Sequence, residues 1–206
     1  HVDYWDNLVH GRDGRWKDPY SSSDNTQRQR DYNYALRGTG SVYTPQAVVA
    51  GVSEATGSRR RRVENMIRRA PAPYAQIDMS VDANGLMVAI STASDSPTPA
   101  DQEMLGAEVM MVELLTSDSN EILGGENRGL TANSRNVAIS HDTLGAWSGQ
   151  METYRARTVD ASNSCAVIVQ EQDTGRILGA SYCPPMPTQT SEDEEPGPRE
   201  FIRGHP

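Results

Sequence analysis

Apolar residues along the 206-residue chain follow two regimes, a mixed pattern up to residue 70 and a two-residue alternation from residue 74 onward. The first regime centres on Val42-Tyr43-Thr44-Pro45-Gln46-Ala47-Val48-Val49-Ala50-Gly51, a short apolar run with a proline at its head and a glycine at its end. Proline cannot donate to a sheet ladder, so Pro45 marks a strand's first residue or an edge. The Thr44-Pro45 bond is also a candidate for the cis form, which is found mainly at proline. Residues 52–56 can pair back across Gly51. Gly57 then breaks the strand, Ser58 can cap, and residues 59–70 read as a helix with Val63, Met66, Ile67 and Ala70 as its buried stripe.

Upstream, residues 1–6 alternate and read as a strand or the end of one, and residues 7–23 are punctuated as a loop. Asp24 with Gln27 resembles a capping box for a helix that carries Tyr32, Ala35 and Leu36 on one face and stops at Gly38 and Gly40. Pro71-Ala72-Pro73 reads as a linker. Beyond it Ile77, Met79 and Val81 alternate, Asn84-Gly85 signals a turn, and Leu86, Val88 and Ile90 alternate again. Further strands are expected at 109–115, 136–141, 153–157, 165–170 and 177–182. Many short strands with turn signals predict an antiparallel sandwich over 74–183. Residues 184–206 are acidic, proline-rich and poor in large apolar side chains, the composition of a disordered tail.

Charge narrows the function classes. The net charge of −9 argues against nucleic acid as the main partner, because phosphate binding needs a basic face. No apolar run is long enough for a helical membrane span. The basic charge that exists is concentrated: Arg59, Arg60, Arg61, Arg62, Arg68 and Arg69 share one short helix, while Glu192, Asp193, Glu194 and Glu195 lie in the tail. The cluster suits an acidic partner, the chain's own acidic tail, or simply a solvated helix face. Two cysteines do not make a disulfide framework. If Asp173-Thr174-Gly175 forms a three-residue hairpin loop, Gln172 pairs with Arg176 and Cys165 falls opposite Cys183. That is one register in which the pair can bond, and a one-residue slip would separate them.

His1 and Asp3 share a strand face with His10 near in sequence, but no third ligand has metal-site spacing, so no metal or other cofactor is expected. Asp3 and Asp6 are expected instead to accept hydrogen bonds in the loop before Trp16. Gly124 to Gly129 follows no βαβ pattern and reads as a loop, not a nucleotide fingerprint. No catalytic triad or paired-carboxylate spacing stands out, and no catalytic residue is assigned.

Several motifs carry a family resemblance. His1-Val2-Asp3-Tyr4-Trp5-Asp6, Trp16-Lys17-Asp18-Pro19-Tyr20, Arg28-Gln29, Val42-Tyr43-Thr44-Pro45-Gln46 and Gly57-Ser58 together resemble a secreted or periplasmic thioredoxin-like family known as domain of unknown function 1223. Gly125-Glu126-Asn127, with Gly129 and Asn136-Val137, resembles the same family's β-domain. His10 to Arg15 looks like an insertion against that pattern. The resemblance implies an α+β fold: a partial thioredoxin-like α/β unit over 1–70, a linker at 71–73 and the β-sandwich over 74–183. It implies Tyr43, Thr44 and Pro45 as substrate-facing, with Asp3, Trp5, Asp6, Trp16 and Asp18 as a structural motif. It also implies a strand and a Cys-x-x-Cys segment ahead of His1, so the chain reads as an N-terminally truncated member that cannot run the thiol cycle with the residues it has. The alternative is a non-catalytic module whose β-domain and arginine helix dock a protein partner.

Overall fold

The computed structural model describes residues 1–6, 17–93, 106–124 and 127–185. Trp16, His10 and Arg15, the pair Gly125–Glu126 and the tail from residue 186 lie outside the described residues. The fold is mixed, with few helices and antiparallel sheets.

Helix α1 spans Ser23–Arg37. Its N-cap is Ser22, whose side chain accepts from the Asn25 N–H, and Asp24 lies in the first turn. The capping-box reading placed the cap two residues late because three serines precede Asp24 and each is a competent cap. Gly38 ends the helix in the left-handed conformation, φ 68°. The face α1 buries is polar: Thr26 and Asn33 are its buried residues, whereas Ala35 is exposed. Both have partners that the apolar pattern could not reveal. Asn33 Oδ1 accepts from Gln46 Nε2 at 2.7 Å, and Thr26 Oγ1 accepts from the Asp3 N–H at 3.0 Å.

The Thr44–Pro45 peptide is cis. Strand β1 (Gln46–Val49) follows it and pairs with β2 (Ser53–Thr56) in a two-stranded antiparallel sheet. The Val52 N–H bonds to the Val49 carbonyl, and both central residues, Ala50 and Gly51, have positive φ, as a tight hairpin turn demands. Helix α2 spans Arg60–Arg68. Ser58 does not cap it. Arg59 holds the cap position with no side-chain hydrogen bond, so the helix starts one residue late and stops short of residue 70. The expected buried stripe is not buried either: α2 has no buried residue, and Ile67 is 59 % exposed. A nine-residue helix resting on a two-stranded ribbon has too little surface beneath it to cover an apolar face.

Residues 1–6 form no strand. Val2 makes one isolated parallel bridge to Ser22. Alternation over six residues satisfies the strand pattern, but the ladder beyond that bridge is missing among the described residues.

The remaining strands build two antiparallel sheets. One has the order β3 (Ala75–Asp82), β4 (Gly85–Thr92), β7 (Glu152–Ala156). The other has the order β6 (Thr131–Trp147), β5 (Ala107–Glu121), β8 (Ser164–Glu171), β9 (Ile177–Tyr182). Side chains from both sheets make one core, including Leu86, Val88 and Ile90 of β4, Val109 and Met111 of β5, and Trp147. The predicted alternation holds on β3, where Ile77, Met79 and Val81 face this core. The Asn84-Gly85 turn is displaced by one residue, because Gly85 already pairs with Asp82 as the first residue of β4.

Cys165 of β8 and Cys183, the residue after β9, form a disulfide. The turn that aligns them is not the expected one. Glu171, not Gln172, is the residue whose N–H bonds to the Arg176 carbonyl, which leaves four residues in the loop. A bulge at Val169/Gln170 then restores the register, and the Cys183 N–H reaches the Cys165 carbonyl at 2.8 Å.

Candidate functional site: a groove beside Pro45

The expected substrate-facing residues lie on the wall of an open groove of about 590 Å³. Thr44, Pro45, Gln46 and Val48 form one side, and Val2 and Trp5 the other, with α1 contributing Arg28 and Gln29 to the floor. Tyr43 stands behind this wall. Its hydroxyl donates to Glu54, and its ring receives the Arg37 guanidinium at 5.3 Å. Burial and the adjacent carboxylate raise the Tyr43 pKa, so it stays a protonated donor.

The backbone gives this groove its chemistry. Pro45 carbonyl accepts the Gly57 N–H at 2.8 Å, which makes Pro45 and Gly57 a hydrogen-bonded pair of the β1–β2 ladder. Pair type alternates along an antiparallel ladder, so the main-chain groups of Gln46 and Val48 point away from β2. Those are the β1 residues that line the groove. No other strand among the described residues pairs with that edge.

Side-chain bonds hold both walls. Gln29 Nε2 donates to the Tyr43 carbonyl at 2.7 Å and to Gln46 Oε1 at 2.8 Å, and Gln46 Nε2 donates to Glu54 at 3.0 Å. Burial pushes the Glu54 carboxyl up, but the bonds from Tyr43 and Gln46 outweigh it and hold the pKa below the usual range. Trp5 Nε1–H donates to Thr44 Oγ1 at 2.8 Å and so ties the opposite wall to this one. Asp3 accepts from the Thr26 hydroxyl, and Asp6 accepts from the Ser21 hydroxyl at 2.6 Å. Asp18 bonds to His1 Nδ1 at 2.6 Å and accepts the Tyr20 N–H at 2.9 Å.

A second hollow of about 690 Å³ lies between the start of α1 and strands β5 and β6, and nothing in the sequence pattern pointed to it. Arg28 and His141 line it. Burial and the Arg28 charge lower the His141 pKa, so this imidazole is neutral at pH 7. Arg28 is already committed, donating to Gln170 Oε1 at 2.8 Å and to the Tyr32 hydroxyl at 3.1 Å. The hollow is larger and is lined in part by the edge strand β6, whereas the groove is the concavity that Thr44 and Pro45 line together with the open edge of β1. Cys165 and Cys183 belong to neither wall, and no group of three metal-ligating side chains occurs among the described residues.

Similar proteins add family and fold. A solved structure from Agrobacterium tumefaciens, 23 % identical, superposes with a TM-score of 0.68 over 94 % of this chain and 82 % of that one, which shows a shared fold. A domain of the outer membrane lipoprotein Omp28 from Porphyromonas gingivalis covers 58 % of this chain and 93 % of its own at 12 % identity, but its TM-score of 0.27 carries no argument. No curated protein matches the chain. A family model described as "Protein of unknown function (DUF1223)" matches residues 1–170, and the chain belongs to that family.

Proposed function

We propose that this protein is an extracytoplasmic binding module that takes an extended peptide segment along the outer edge of β1. The observation that carries the reading is the coincidence of the groove with the backbone groups of Gln46 and Val48, which face away from β2. An added strand would gain main-chain hydrogen bonds from that edge, and pockets for its alternate side chains would lie against Val48, Pro45 and Trp5. The intramolecular disulfide favours an oxidising compartment. No described helix is long and apolar enough to cross a membrane.

The test is a titration of the protein with extended apolar peptides, read by amide shifts. Perturbation at Gln46 and Val48, with affinity lost when alternate peptide nitrogens are methylated, supports strand addition. Binding that ignores N-methylation, or that shifts only the residues around His141, sinks it.

The order of proline-led hairpin and following helix favours a second, thioredoxin-like form of the same reading. There the occupant of the groove is a Cys-x-x-Cys-bearing strand from polypeptide ahead of His1, and the thiol pair works against Thr44. Thiol-disulfide exchange by a chain extended at its N-terminus, and lost on replacing those cysteines, is the expected result. Cys165 and Cys183 play no part in that cycle because they are bonded to each other.

A further inference from the structure

The open edge of β1 is short, and both of its ends are already engaged. Beyond Val48 the Ala50 carbonyl accepts the Ile177 N–H at 2.9 Å, so the first residue of β9 occupies the next acceptor on. Gly51 then rests directly on Gly175, which leaves no room for another chain between them. At the other end the indole of Trp5 reaches from the far wall of the groove and donates to Thr44 Oγ1 at 2.8 Å. Between those limits lie residues 45–49, about 16 Å of extended chain. Within that stretch Gln46 and Val48 are the residues whose main-chain groups point away from β2.

The two limits differ in kind. The Ile177 contact joins main chain to main chain and belongs to the strand that leads to the disulfide at Cys183. The Trp5 contact is a single side-chain bond at the surface: Trp5 is 46 % exposed, and Thr44 is exposed as well. Breaking it returns both groups to water, so its net cost is that of one hydrogen bond. The segment beneath Trp5 is held more firmly. The Asp3 N–H donates to Thr26 Oγ1 at 3.0 Å, the Tyr4 hydroxyl donates to Gln29 Oε1 at 3.2 Å, and Asp6 accepts from Ser21 at 2.6 Å. Tyr4 and Trp5 also touch, with ring centroids 5.6 Å apart. The indole can therefore release Thr44 while the chain that carries it stays in place.

We propose that the groove takes a chain end of about five extended residues, and that Trp5 is the specificity-determining residue that sets this limit at Thr44. The inference rests on the strand-addition reading above. The bound end stops at the Trp5–Thr44 bond, and the rest of the ligand turns out of the open groove before it meets Ile177. A segment that runs on past Thr44 must open the bond first, which lowers its apparent affinity by the fraction of molecules in which the indole has moved aside.

The test compares a capped pentapeptide of alternating valine and threonine with two longer versions, extended by four residues at the amino or the carboxyl end. Each is titrated into the full chain and read by amide shifts at Gln46 and Val48. One of the two extended peptides is expected to bind about 2- to 12-fold more weakly than the pentapeptide, the worth of one hydrogen bond. Trp5→Phe keeps a ring beside Tyr4 but has no donor, and Thr44→Val removes the acceptor. Each should bring that peptide back to the affinity of the pentapeptide. Both positions are exposed, and unchanged circular dichroism would confirm that the variants fold. Equal affinity of the wild-type chain for all three peptides would overturn the length limit. A difference that survives both substitutions would overturn the role of Trp5. Absence of any shift at Gln46 and Val48 with all three peptides would instead remove the strand-addition reading, and this inference with it.

Discussion

Gly51 sits so close to Gly175 that a Cβ added at Gly51 would lie 2.0 Å from the Gly175 carbonyl oxygen. This contact seats the β1–β2 hairpin on the β8–β9 loop, and the Ile177 N–H reinforces it by bonding to the Ala50 carbonyl at 2.9 Å. Gly51 also has φ 67°, so both its backbone conformation and its lack of a side chain are used.

Gly51→Ala should therefore cost much more than a left-handed alanine alone. Gly38 provides the comparison, because it has nearly the same φ, 68°, and nothing within 4 Å of its added Cβ. Gly38→Ala is expected to lose about 1 kcal/mol in urea unfolding. Gly51→Ala is expected to lose at least about 3 kcal/mol, since backbone must move to make room. Equal losses at the two sites would mean that the hairpin does not rest on Gly175.

The disulfide joins residues 18 apart in sequence. Closing a loop of that size removes unfolded-state entropy equivalent to about 3 kcal/mol at 25 °C. Replacing both cysteines by alanine should lower stability by about that amount, and thiol titration of the unreduced, unfolded chain should find no free thiol. The same unfolding experiment on Gly51→Ala separates the two effects, because the hairpin contact and the disulfide lie at opposite ends of β9.

What the sequence could disclose follows from which forces leave a pattern in it. Proline and glycine do, so the Pro45 strand start, the return across Gly51 and the stop at Gly38 were all legible. Alternating burial does too, which exposed β3 and β4. The second half of β5, Thr116 to Glu121, has no apolar alternation, and it was missed because it is a polar ribbon held by pairing with Thr131 to Arg135. The groove wall was legible at Thr44 and Pro45 only through motif resemblance. Its other support, the bonds joining Gln29, Asn33, Gln46 and Glu54, was not. Amides and carboxylates buried in a network look the same in sequence as amides on a surface.

Glu113 is the most informative buried charge. It is 7 % exposed and accepts from Arg157 at 2.6 Å and from Asn163 at 2.8 Å. Burial pushes its carboxyl up, but the bonds from Asn163 and Arg157 outweigh that and hold the pKa below the ordinary glutamate value. Arg157→Ala removes the counter-charge and should destabilise by about 1–2 kcal/mol, discounted because Arg157 is itself half exposed. Glu113→Gln in the Arg157→Ala background should recover part of the loss, since a neutral amide is cheaper to bury. An additive double variant would show that the pair does not interact.

His1 and Asp18 set the pH response of the groove wall. The hydrogen bond to Asp18 raises the His1 pKa above its ordinary value, despite the opposing effect of burial. Burial raises Asp18, but the bonds from His1 and the Tyr20 N–H outweigh it and lower its pKa. A raised histidine pKa contributes stability that is fully present below about pH 6.5, the unfolded value, and is lost as pH rises through the folded value. A lowered aspartate pKa contributes stability that is present above about pH 3.9 and is lost as pH falls through its folded value. The pair is therefore most effective between those limits, at about pH 4 to 6.5. His1→Gln should lower the urea midpoint most near pH 5.5 and progressively less as pH rises through the folded value, as at pH 9. The side chains are partly exposed, 37 % and 27 %, so the difference should shrink with added salt. An effect of His1→Gln that is the same at pH 5.5 and pH 9 would show that the contact contributes through packing against Tyr20, whose ring lies edge-on at 5.7 Å, and not through charge.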